Sequence, residues 1–316
     1  MSLLNIVIPD RLIGQRIDSA LAAMLPDYSR SKITSWVRSG KALVNNKTFK
    51  PKEKVLGGEI IALTLVKEKS NAWLGEDIAI DVVYEDADIM VVNKPVGLVT
   101  HPGAGNWTGT LANALLHYDP SLANLDRAGI VHRLDKNTSG LMVVARSELA
   151  QKNLVEQLQT HAVSREYSAI VYGHMISGGS IDAPIGRDPK DRIRQAVVEE
   201  GEGKDAITHY RVIDRFAHHT HVKCILETGR THQIRVHMSF AEHPLVADPM
   251  YGGKIRFPKK ADDKLKEALK AFNRQALHAK KLTLSHPITG EEISWKAPLP
   301  DDMQGLLEVL SMYDGE

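Results

Sequence analysis

Asp135 sits in the most chemically loaded stretch of this chain. Gly129-Ile-Val-His-Arg-Leu-Asp135-Lys-Asn-Thr-Ser-Gly140 sets one carboxylate among His132, Arg133 and Lys136, directly before the apolar run Leu141-Met-Val-Val-Ala145. A carboxylate on a loop carried by a rigid sheet is well placed to react. It can equally cap the turn Lys-Asn-Thr-Ser-Gly by accepting backbone N–H groups. The local residues leave both readings open. Two further clusters bear on the choice. Arg165-Glu-Tyr167 opens a strand and offers an aromatic ring able to stack on a base. Gly229-Arg230-Thr-His-Gln-Ile-Arg235-Val-His237 reads as a strand with polar groups at alternate positions, which puts Arg235 and His237 on one face. A buried Arg230 needs a carboxylate partner, and Asp135 is the natural candidate.

Other chemistries find little support. There is no G-x-x-x-x-G-K-[ST] phosphate loop, and Gly103-Ala-Gly105-Asn-Trp-Thr-Gly109 is one residue off a dinucleotide fingerprint and reads as a tight loop. His218, His219 and His221 lack an acidic or Cys partner at ligand spacing, so no metal is expected. One cysteine, Cys224, excludes an internal disulfide framework. No apolar run reaches the ~20 residues of a membrane span. The N-terminus has no secretory pattern. Together these imply a cytoplasmic protein with no membrane contact.

The net charge of +1 hides an asymmetry. Residues 1–70 hold twelve Lys/Arg against six Asp/Glu, and the remainder 28 against 33. Within the first part, Arg30, Lys32, Arg38, Lys41, Lys47, Lys50, Lys52 and Lys54 are opposed only by Glu53. Such a cluster is either a solvated face or a phosphate-binding one.

Positioning elements can be read from periodicity. Ile17, Leu21, Met24 and Leu25 form a helical stripe. A second helix starts at an N-cap Ser29, buries Ile33, Trp36 and Val37, and stops at Gly40. Ala42-Leu-Val44 with Asn45-Asn46 predicts a hairpin, and Glu59 to Leu65 a strand. Residues 66–80 read as a linker, giving domains at 1–70 and 81–316 with 71–80 between. Beyond it, strands are expected over 88–93, 140–145, 167–172, 221–227 and 233–238, and a helix over 147–161 with Ser147 as N-cap. Strands and helices do not alternate, so the fold class is α+β, with a mixed, mainly antiparallel sheet.

In order and spacing, His132-Arg-Leu-Asp135, Arg165-Glu-Tyr167 and Gly229-Arg-Thr-His-Gln-Ile-Arg235 resemble the three motifs of the RluA-type pseudouridine synthases. The first seventy residues resemble an S4-type RNA-binding domain, and the likeness extends to Gln275-Ala-Leu-His-Ala279. Asn137 stands where many members carry Asp, which leaves the motif intact. The resemblance implies an isomerase that turns uridine into pseudouridine in RNA. Asp135 would act at C1′ with Arg230 as its counter-ion, and Tyr167 would stack on the uracil. Arg133 would fill the gap left by the extruded base, and His132, Arg235, Arg30, Lys32, Arg38 and Lys41 would contact RNA. It implies no cofactor, because the isomerisation balances itself. His101-Pro-Gly-Ala-Gly-Asn106 and Asp248-Pro-Met-Tyr-Gly-Gly253 resemble members acting on 23S ribosomal RNA of the large subunit, so the implied target is its intersubunit-bridge stem-loop (helix 69), met by a monomer. Alternatives are a related synthase acting on other rRNA or tRNA uridines, and a non-catalytic RNA-binding or ribosome-assembly factor.

Overall fold

The computed structural model describes residues 2–25, 30–65, 73–103, 105–191 and 193–313. The chain divides into two compact units, Met1–Asn71 and Ala72–Glu316. The expected N-cap at Ser29 and the start of the 66–80 stretch lie outside the described residues. Residues 73–80 are irregular but packed within the second unit, where Trp73 joins the core and Asn113 Nδ2 donates to Leu74 O at 2.8 Å.

The first unit contains β1 (Ser2–Val7), α1 (Ile17–Met24), α2 (Arg30–Arg38), β2 (Ala42–Val44), β3 (Lys47–Thr48) and β4 (Ile60–Leu65). Its strands form an antiparallel sheet in the order β1-β4-β2-β3. Ile17, Leu21, Ile33, Trp36 and Val37 bury the predicted helical faces against Val44, Ile61 and Leu63. Asn45 and Asn46 both take positive φ, 47° and 62°, the geometry a two-residue hairpin turn requires.

The second unit opens with β5 (Asp81–Glu85), β6 (Ile89–Lys94) and α3 (Leu111–Tyr118). There follow β7 (Ser139–Ala145), α4 (Glu148–Gln159), β8 (Ser164–Tyr172), β9 (Gly179–Asp182), β10 (Ile185–Arg187) and β11 (Gln195–Val197). β12 (Ile207–Arg215), β13 (His219–Leu226), α5 (Gln233–Phe240) and α6 (Asp263–Ala271) come next, then β14 (Leu277–Ser285), β15 (Glu292–Lys296) and α7 (Asp301–Met312). The large sheet runs β5-β6-β7-β14-β8-β13-β12-β9, with β15 added to β14. Among the described strands only the β7–β14 pair is parallel, so the fold is α+β and mainly antiparallel. As expected, Ser147 caps α4, its side chain accepting from Ala150 N.

Central strands are buried on both faces, which is why they read as continuous apolar runs. Met90, Val92, Met142 and Val144 enter one core with Tyr167, Cys224, Ile234 and Met238. Their neighbours Ile89, Val91, Leu141 and Val143 enter the other with Leu154 and Trp295. Strand alternation thereby puts Tyr167 on the face that α5 covers.

The expected strand over 233–238 is instead the start of α5. Its alternating polar residues also fit a helical period: Ile234 and Met238 lie four apart and both reach the core. Arg235 and His237 therefore face apart. His237 turns to Thr208 Oγ1 and Ala183 O, at 2.9 and 3.0 Å.

Gly140 is the second residue of β7, just after the Asp135 loop. Its φ is +117°, and a Cβ there would lie 2.3 Å from Ala279 O and 2.6 Å from Ala279 N of β14. No side chain fits unless the two strands part. Gly140→Ala should lower the unfolding free energy by about 2 kcal/mol or more, read as an earlier urea midpoint. A midpoint equal to wild type would contradict this account of the β7–β14 seam.

Candidate active site

The loop before β7 is fixed by its own carbonyls. Thr100 Oγ1 donates to Leu134 O at 2.8 Å and Thr138 N to Asp135 O at 3.0 Å. Lys94 Nζ donates to Lys136 O at 3.2 Å and Arg274 Nη1 to Asn137 O at 3.4 Å. Four consecutive acceptors are satisfied, so the loop has one arrangement. Lys94, fully buried at the end of β6, donates also to Pro95 O and Leu98 O. Burial pushes its pKa down to about 7, and the nearby Asp135 charge counters that fall.

With the turn closed by its backbone, the Asp135 carboxylate is not a cap. Among the described residues its close side-chain contacts are Arg235 Nη1 at 2.9 Å and His232 Nε2 at 3.8 Å. Arg235 therefore occupies the counter-ion position expected of Arg230, and this corrects the pairing. Four residues separate the two arginines, and the start of α5 at Gln233 aims Arg235 inward. Arg230 stays half-buried and donates through Nε to Asp205 O at 2.8 Å.

Arg235 is itself gripped from behind. Its Nε and Nη2 donate to Asp248 Oδ2 and Oδ1 at 2.7 and 2.9 Å, a bidentate pair with Asp248 wholly buried. Asp248 Oδ1 also accepts from Met250 N and Tyr251 N, so Asp248 performs the turn capping that the sequence offered to Asp135. Burial works against ionising Asp248, but the Arg235 bonds and charge and the two backbone N–H groups outweigh it and lower its pKa. The ring of Tyr251 lies under Arg235, 5.0 Å from its guanidinium carbon. Tyr251 Oη contacts His232 Nδ1 at 2.9 Å, which aims the imidazole at Asp135.

Two cavities adjoin at Asp135, of about 530 and 790 Å³. Arg133, Asp135, His232 and Arg235 line both. The first also holds His132, Tyr167 and Arg230, so the structure brings together every candidate expected from the second unit. Tyr167 is a neutral phenol here, its pKa raised by burial and by Asp135 against the pull of Arg165. His132 serves the loop: Val143 N donates to its Nε2 at 3.0 Å. Burial, then the Arg165 charge, pushes the His132 pKa down to about 3, so it presents no cation to RNA. In the first unit, Arg38 is exposed and Lys41 half-buried. The side chains of Arg30 and Lys32 lie outside the described residues. Among those residues no group of three His, Cys, Asp or Glu could hold a metal, and no helix is long and apolar enough to cross a membrane.

Three contributors escaped the sequence reading: Asp248, His232 and Lys94. Lys94 left a signal, a lysine closing an apolar strand just before Pro95. His232 lay inside a motif without a role, and nothing local ties Asp248 to an arginine thirteen residues upstream.

Residues 88–240 match the RNA pseudouridylate synthase family and residues 15–61 the S4 domain. The chain is 53% identical over 308 residues to ribosomal large subunit pseudouridine synthase D of Escherichia coli strain K12, covering 97% of this chain and 94% of the relative. For the protein of that name from Xanthomonas campestris the identity is 50% over 309 residues, covering 98% and 93%. Among solved structures, human RNA pseudouridylate synthase domain containing 4 superposes with a TM-score of 0.57 at 27% identity, covering 73% of this chain and 93% of that one.

The pairing makes a stability prediction. Arg235→Met leaves the buried Asp248 carboxylate uncompensated and should cost about 3–5 kcal/mol, whereas Arg230→Ala loses one carbonyl bond, about 1 kcal/mol. The pH dependence carries a sign. The Asp248 pKa is lowered on folding, so its contribution is complete above the unfolded value and fades as pH falls through the folded one. Asp248→Asn should therefore flatten the fall in stability below about pH 4. Denaturant titrations across pH read both. Equal costs for Arg235→Met and Arg230→Ala would contradict the pairing.

Proposed function

The chain belongs to the RNA pseudouridylate synthase family and is a pseudouridine synthase; from that premise we propose that it modifies 23S ribosomal RNA of the large subunit, at the intersubunit-bridge stem-loop (helix 69), with Asp135 acting at C1′. The observation that carries the assignment of Asp135 is its ion pair with Arg235 at 2.9 Å, on the wall of a cavity that Tyr167 also lines. The names of the relatives, which specify the large ribosomal subunit, support the choice of RNA.

The chemistry asks for such a carboxylate. The N1–C1′ bond breaks, the uracil turns, and a C5–C1′ bond forms. C5 loses its proton and N1 gains one, so the reaction balances without a co-substrate. Cleavage builds positive character at C1′, as in glycoside hydrolysis, and an ionised carboxylate stabilises or traps it. Arg235 holds the carboxylate in place. It draws little nucleophilicity away, because Asp248 holds two of its donors.

C1′ and the base cannot be handled inside a helix, so the uridine must leave its stack, at a cost of a few kcal/mol that is smallest in loops. Tyr167 offers the extruded uracil a flat, uncharged ring. Arg133 is exposed beside both cavities, where it can occupy the vacated space. The S4 domain contributes the basic segment around Arg38 and Lys41, with Arg30 and Lys32, and RNA is the partner such a segment suits.

Carbodiimide mapping of pseudouridine in rRNA from a strain lacking this protein tests the reading. Loss of sites confined to the intersubunit-bridge stem-loop of 23S rRNA, restored by the wild-type gene, is expected. A full complement of pseudouridines in that stem-loop would overturn the target, and losses in tRNA would replace it.

A further inference from the structure

Among the described residues the second unit buries three arginines, Arg165, Arg235 and Arg274. Two are neutralised in bidentate fashion, Arg235 by Asp248 and Arg274 by Asp302, the latter at 2.6 and 2.7 Å. Arg165 is not. It is 7% exposed, its Nη2 donates to Glu227 O at 3.1 Å, and its buried Nε has no partner. No carboxylate lies in ion-pair range of it among the described residues. A buried cation left in this state costs several kcal/mol, and folding alone gives no reason to keep it.

Its surroundings point to an anion from outside. Arg165 lines the first cavity together with Arg127, Arg133 and Arg230, and the one acid lining it among the described residues, Asp135, is already paired with Arg235. Burial lowers the Arg165 pKa, Tyr167 opposes the fall, and the Arg230 charge adds to it. Gly229 lies between the two in sequence, and a Cβ on it would come within 2.6 Å of Arg165 Nη1. The missing side chain leaves that nitrogen open beside the Gly229 backbone. Two guanidiniums lining one cavity, one of them beside a glycine, suit a tetrahedral oxyanion. Arg165 also precedes Tyr167 by two residues on β8. Their side chains therefore leave the same face about 7 Å apart, a span that joins a stacked base to a neighbouring phosphate.

We propose that Arg165 and Arg230 form a phosphate site in the wall of the Asp135 cavity, taking an RNA backbone phosphate adjacent to the uridine being isomerised. The proposal rests on the RNA-modifying reading of the site and deepens it. Arg165 here is a binding group, and its buried charge is stabilised when the polyanion arrives.

The test uses the full-length protein, a stem-loop RNA and a set of the same RNA carrying one neutral methylphosphonate at each linkage flanking the target uridine. Affinity is measured for wild type and Arg165→Met, and conversion of the uridine is scored separately. In the wild type, neutralising one linkage should weaken binding about tenfold. Arg165→Met should bind the unmodified RNA about tenfold more weakly and show no further loss with that linkage neutral. It should also unfold at the same temperature as wild type or a higher one. Equal losses at every linkage in both proteins would overturn the site, as would a lower unfolding temperature with RNA affinity intact. A fall in kcat with the linkage effect unchanged would assign Arg165 to Tyr167 instead and overturn the proposal. Failure of the wild type to convert the uridine would sink the substrate reading alone, because the affinity comparison stands without it.

Discussion

The Arg235 guanidinium, divided between two aspartates, is the interaction on which the active site depends. Asp248, wholly buried, takes Nε and Nη2, and Asp135, at the cavity wall, takes Nη1. The order of burial gives the arrangement its direction. The buried acid fixes the arginine, and the arginine then fixes the carboxylate that remains accessible. Removing the middle member would leave one charge stranded in the interior and the other without a guide. From the opposite side, Lys94, Thr100 and Arg274 hold the loop by its carbonyls, so its backbone and its side chain are positioned independently. Preorganisation of this kind lets a charge act without first being reorganised.

Much of this architecture could be read from the sequence. The S4-like helices, the hairpin at Asn45-Asn46, the cap at Ser147 and the antiparallel character of the sheet all follow from periodicity and turn chemistry, which are local. The motif around Asp135 also drew attention to itself, because carboxylate, cations and turn formers seldom crowd together by chance. The partner of Asp135 was less legible. Arg230 and Arg235 are equally cationic, and only the helix between them decides which one turns inward. The segment 233–238 suits both periods. What selects the helix is long-range, since Gln233 Nε2 donates to Ile207 O and Thr208 Oγ1 while its Oε1 accepts from Arg230 N. Asp248 was invisible for the same reason: a buried acid announces itself only once the arginine it serves is in place.

The arginines of the second unit differ in what they are paired with. Arg235 and Arg274 are buried cations with carboxylates and serve the fold. Among the described residues Arg165 and Arg230 have carbonyl partners only, which under the phosphate-site proposal leaves their charge to an anion. Tyr167 lies between these sets, its ring part of the core and one edge of the cavity. Its burial keeps the phenol neutral, and a neutral ring suits stacking on uracil better than it suits taking a proton.

The central claim is that the Asp135 charge, and not merely its shape, performs the chemistry. Asp135→Asn keeps the shape and removes the charge. The decisive measurement is single-turnover pseudouridine formation by this variant, with binding of the same RNA measured in parallel. The account predicts affinity within a few-fold of wild type and conversion slower by at least about a thousandfold. Conversion within tenfold of wild type by a variant that binds normally would contradict it.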